Sequence, residues 1–162
     1  MKFLNAEGLP IIAANEQAAL AFDNTVAAYA GFRRDIGAQL KACLAADPDM
    51  PMAHVLKGLL FQFMALPALA PRAAAALSTA HEAMARRDAS PRERAHAAGL
   101  QAWIDGRLQH AVDTYEAVLQ DHPRDFLALK LANFFHFYLG DSQAMRASVE
   151  RRWPSWSAAD AN

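Results

Sequence analysis

One cysteine, Cys43, is all the chain has, so an internal disulfide is impossible and a cysteine-rich zinc site is excluded. Set within "LKACLAAD" with no histidine close in sequence, Cys43 reads as a small core hydrophobe. Net charge is also nearly absent: sixteen Lys and Arg against seventeen Asp and Glu leave −1. A nucleic-acid binder usually shows a basic excess or stripe, so no nucleic acid is expected as a partner. The Arg33-Arg34, Arg86-Arg87 and Arg151-Arg152 pairs read instead as helix-end or solvated residues. Long apolar runs are missing too. The most apolar segment, "GLLFQFMALPALAP", is too short for a membrane span and is broken by Pro67 and Pro71. The N-terminal "MKFLNAEGLPII" is interrupted by Asn5, Glu7, Gly8 and Pro10, a poor secretion signal. A soluble cytoplasmic protein with no membrane partner is the expectation.

What is present favours helices. Almost a quarter of the 162 residues are alanine, the best helix former, while β-branched residues are few. Asn15 can cap a first helix reaching Tyr29, with Leu20, Phe22, Val26 and Tyr29 available for burial. Ile36, Leu40, Cys43 and Leu44 give a second helix over 32–46, which Pro48 ends. Asp49 reads as the cap of a third helix running to Met64, and Pro71 opens a fourth that ends at Arg87. "SPRE" predicts a capping box between Ser90 and Glu93, with Pro91 at the first helical position. Asp105-Gly106 closes that fifth helix; the sixth covers 108–120, Asp125 caps the seventh, and Gly140-Asp141 turns into an eighth. No segment reads as a credible strand. The class is all-α, with about eight helices.

Spacing sharpens this. Gly106 and Gly140 lie 34 residues apart, as do Gly99 and Asn133, and Ala111 and Met145. A helix pair recurring at that period is the signature of stacked helical hairpins, each burying its apolar face on the next. The expected organisation is an N-terminal extension over 1–14, a helical-repeat domain over 15–152 and a tail over 153–162. The hairpins fall at about 15–46, 50–87, 91–120 and 126–152.

Residues 92–125 resemble the tetratricopeptide repeat through Gly99, Gly106, Ala111, Tyr115, Val118 and Pro123; in the next unit Met145 and Val149 replace the alanine and the aromatic. More finely, "NEQAALAFDNTVAAYAGF", "LKACLAADPDMPMAHVLKGLL", "SPRERAH", "LQDHPRDFLALK" and "HFYLGDSQAMRASVERRWPSW" resemble the N-terminal part of the tetratricopeptide repeat protein 38 family. That resemblance implies an antiparallel helical-hairpin solenoid and a longer parent chain rather than a defined activity. Where it would place a His-Asp pair in the seventh helix, this chain has Asn133-Phe134.

The resemblance implies that the first helix of each hairpin lines a concave, ligand-receiving face. Projected on this sequence, that face carries Leu59, Phe63, His96, Leu100, Trp103, Lys130, Phe134, Phe137 and Tyr138 as candidate binding residues. Its aromatic character suits a protein partner, a second copy of the chain or a hydrophobic ligand, with no cofactor. The N-terminal segment or further repeats are alternative covers for it. Trp153, in "RRWPSW", is expected to fold back on the last hairpin or enter a neighbouring chain.

An enzyme is the competing reading. His54, His81, His96, His110, His122 and His136 include no i, i+4 pair, and "HEAMA" at 81–85 has Ala85 where a zincin helix needs its second histidine. A metal or catalytic site would need histidines converging from different helices. A third possibility is a purely structural N-terminal part of a longer repeat protein.

Overall fold

Side-chain capping decides where half of the helices begin. In the computed structural model, which describes residues 1–157, the Asn15 side chain accepts from the Ala18 amide and starts α1 (Glu16–Ala30). Ser90 and Glu93 form the reciprocal capping box that opens α5 (Pro91–Ile104). The Asp125 and Asp141 carboxylates cap α7 (Phe126–Tyr138) and α8 (Ser142–Arg152). Between these lie α2 (Ile36–Ala46), α3 (Pro51–Phe63), α4 (Ala70–Arg87) and α6 (Leu108–Asp121), with 3-10 turns at Pro67–Leu69 and Trp153–Ser155. Among the described residues this is an all-α stack of helical hairpins, α1–α2, α3–α4, α5–α6 and α7–α8. Of the tail expected over 153–162, residues 158–162 lie outside the described residues.

Packing within and between hairpins follows the small residues. A Cβ at Gly99 would sit 2.4 Å from Cζ of Tyr115, so α5 and α6 approach as closely as they do only because position 99 has no side chain. Gly58 does the same for α3, where a Cβ would meet Leu100 of α5 at 2.6 Å. Gly106 and Gly140 close their turns at φ +72° and +74°, a conformation L side chains rarely adopt. The core runs without interruption from Phe22 and Cys43 through Val55, Leu59 and Leu100 to Tyr115, Leu131 and Phe135.

Four expectations need correcting. The N-terminal segment is not strandless: β1 (Lys2–Leu4) pairs antiparallel with β2 (Pro10–Ile12). Its partners are distant in sequence. The Ile12 amide donates to the fully buried Glu93 carboxylate, and Arg92 donates to the Pro10 carbonyl. Asp49 does not cap α3, which starts after Met50 without a side-chain cap. It pairs with Arg86 instead, while buried Asp47 accepts from the Ala14 amide and both terminal nitrogens of Arg87. Leu20 is exposed, because Ala18, Ala19 and Phe22 form the face that α1 buries. Of the two alternatives for Trp153, folding back is the one corrected: Trp153 is 72% exposed, and Trp156 folds back in its place, packing on Phe126 and donating from Nε1 to the Pro123 carbonyl.

Candidate functional site

The C-terminal ends of α1, α3, α5 and α7 each deliver an aromatic ring to one place. Phe63 is the hub. Its ring meets Trp103 at 4.9 Å and Phe134 at 4.7 Å, both near perpendicular, and Tyr29 at 5.3 Å. Edge-to-face contacts of this kind align the positive ring edge with a neighbour's negative face. Trp103 continues the cluster to Phe135, which stacks on buried Tyr115. Towards solvent, Phe134 contacts Tyr138, and Tyr138 contacts Phe137.

Phe63 and Phe134 form a wall between two hollows, since both rings line each of them. The larger, about 570 Å³, is bounded by Tyr29, Phe32 and Ile36 on one side and by Leu60, Lys130 and Phe137 on the other. The smaller, about 380 Å³, lies on the Trp103 side with Ala65 and Tyr138. Phe32 (85% exposed), Phe137 (70%) and Tyr138 (63%) stand at the openings. Among the described residues, two of the three non-glycine residues with positive φ also line these hollows, Phe32 at +51° and Ala65 at +50°. For a bulky aromatic that conformation is costly, and residues held in it cluster at binding sites.

Lys130 crosses from α7 to the end of α1. Its ammonium donates to the Ala30 carbonyl at 3.1 Å and lies 4.1 Å from the Phe32 ring centre and 5.0 Å from that of Tyr29. Among the described residues it has no carboxylate partner, and burial draws its pKa below the ordinary lysine value. The other cation on the lining, Arg33, is held by Asp35 at 2.6 Å. No Asp or Glu lines this hollow among the described residues.

Of the nine residues expected to bind, the structure brings Phe63, Trp103, Lys130, Phe134, Phe137 and Tyr138 to this site. Trp103 and Phe137 line different hollows, on opposite sides of the Phe63–Phe134 wall. Leu59, His96 and Leu100 are corrections: each is fully buried and presents nothing to a ligand. The first halves of α3 and α5 are covered, α5 by β2 and α3 by core, so these two helices open only at their C-terminal ends, whereas α7 is open from Lys130 onward. His96 belongs to a buried polar knot instead. Its Nε2 lies 2.9 Å from Asp125, which also accepts from Arg92 at 2.7 Å. Burial alone would raise the Asp125 carboxyl, but the His96 ring, the Arg92 guanidinium and the Ala128 amide together hold it well below the usual carboxylate range.

The remaining histidines are scattered. His54 meets the Pro48 carbonyl and His136 meets Glu116, and among the described residues no three His, Cys, Asp or Glu side chains converge on a metal-sized site. No helix among the described residues is long and apolar enough to cross a membrane.

Sequence reasoning missed the contribution of α1. It put Phe32 inside the second helix and did not connect Tyr29 or Arg33 with α7. The signal was "YAGF": a glycine directly before an aromatic marks a turn in which that ring has no helix face to bury it. No protein-family model and no solved structure matches the chain.

Proposed function

We propose that this chain is a non-catalytic helical-repeat binding module of tetratricopeptide type, acting from the cytoplasm through the aromatic face at the C-terminal ends of α1, α3, α5 and α7. The observation that carries the reading is a set of large rings, Phe32, Phe137 and Tyr138, left exposed around hollows whose walls are already built from packed aromatics. Contiguous apolar surface of this kind marks a contact of some sort in a folded protein. The tetratricopeptide character rests on the Gly99–Tyr115 approach and on turns at Gly106 and Gly140 one repeat apart.

A photo-crosslinking residue placed at Phe137, compared with one at exposed Glu82 of α4, which lines neither hollow, tests the reading in cells. Discrete adducts at 137 and none at 82 are expected, whether to a protein, to a second copy or to a small molecule. Equal, diffuse labelling at both positions would overturn it.

A further inference from the structure

The larger hollow carries a more specific reading, which rests on the binding role proposed above. Its volume, about 570 Å³, falls in the range of small-molecule sites, which join an apolar lining to a few orienting polar groups. The lining here is Ala28, Tyr29, Phe32, Ile36, Leu60, Phe63, Phe134 and Phe137, with only Lys130 and Arg33 charged. Both charges are positive. Arg33 is neutralised by Asp35, whereas the Lys130 ammonium uses one of its three donors on Ala30 and meets no carboxylate among the described residues. The Tyr29 and Phe32 rings hold that ammonium in place by cation–π contact but supply no counter-charge. A lining with a fixed cation, no acid and ring walls complements an apolar body ending in an anion and opposes a cationic one.

We propose that the hollow binds an amphiphilic small-molecule carboxylate, with its apolar body between Phe63, Phe134 and Phe137 and its carboxylate on the Lys130 ammonium. Phe32, held at positive φ, sets its exposed ring against that ammonium and so keeps the charge at the rim of the hollow, where a carboxylate can reach it. The module therefore selects by charge as well as by shape. A neutral molecule of equal length leaves the ammonium unmatched and binds more weakly.

Calorimetric titration of the full chain with decanoate, decanol and decyltrimethylammonium, each below its micelle concentration, tests this. Decanoate should bind about tenfold more tightly than decanol, the scale of one charge-assisted hydrogen bond, and the trimethylammonium compound least of all. Lys130→Met should bring decanoate and decanol to the same affinity, and Lys130→Arg should restore the preference, with circular dichroism confirming that each variant folds. Arg146→Gln, at an exposed cation of α8 that lines neither hollow, should leave the preference intact. Decanol matching decanoate in the parent chain, a preference that survives Lys130→Met, or no decanoate binding would each overturn the inference. If decanoate fails while discrete adducts persist at position 137, the ligand class falls and the binding module stands; if both fail, so does the module.

Discussion

The α5–α6 and α7–α8 hairpins follow one another in the stack, yet different forces hold them. In α5–α6 the helices meet through shape, with the Tyr115 ring filling the space that Gly99 leaves empty. At the matching positions of α7–α8 stand Asn133, whose amide turns back to the Leu129 carbonyl, and Val149, which is exposed. That hairpin is held by charge instead. Glu116 of α6 pairs with His136 of α7 and with Arg151 and Arg152 of α8. The buried side chains of α8 are only Ser148 and Arg152. Two successive helical hairpins therefore use two kinds of glue, and the two should fail under different conditions.

The largest difference should appear at the ring. Tyr115→Ala removes a fully buried aromatic and should cost about 3–5 kcal/mol in urea unfolding, whereas Val149→Ala, 34 residues later, should change stability by less than about 0.5 kcal/mol. Similar losses from both would erase the contrast. Gly99→Ala should cost about 1–3 kcal/mol, because its new methyl group collides with a ring that has nowhere to move.

Glu116→Gln should loosen α8 by about 2 kcal/mol, read as faster amide exchange in α8 with α5 and α6 unaffected. Acid should imitate it. Burial alone would raise the Glu116 carboxyl, but His136, Arg152 and Arg151 bring it below its ordinary value of about 4.5. The stability it confers is thus present above that pH and lost as pH falls through the folded value. Protection of α8 should disappear in acid before that of α6.

Trp156→Ala should cost about 1 kcal/mol through its contacts with Phe126 and Pro123, and exposed Trp153→Ala almost nothing. The most local effect concerns Glu7 in the N-terminal hairpin. Burial raises its carboxyl to about 7; its own backbone opposes this, and Asp23 and Asp125 add to it. The folded state favours the protonated form, so the hairpin is most stable below about pH 4.5 and weakens as pH rises to about 7. Amide exchange at Ile12 should be slower at pH 5 than at pH 8 after correction for intrinsic rates.

Much of the helical pattern was legible because its signals are local. Asn15, the Ser90–Glu93 pair, Asp125 and the glycine turns each act within a few residues, and the boundaries they imply agree closely with the observed ones. The β-hairpin was not legible, since its strands are three residues long and their anchors lie at Arg92 and Glu93. The site was legible by half. Projecting the repeat resemblance assigned Phe63, Trp103, Phe134, Phe137 and Tyr138 to one face, but it could not tell which end of each helix β2 and the core would cover. It therefore included Leu59, His96 and Leu100, which the fold buries, and omitted Tyr29 and Phe32.

The clasp between the N-terminal hairpin and the helix starts has a temporal consequence. Repeat proteins fold quickly because nearly all their contacts are between near neighbours in sequence. Here Ile12 waits for Glu93, 81 residues downstream, and the Glu7 carbonyl for Arg124, 117 residues downstream. On the ribosome this hairpin thus cannot settle until the segments carrying Glu93 and Arg124 have been made, so its closure ties together helices far apart in sequence.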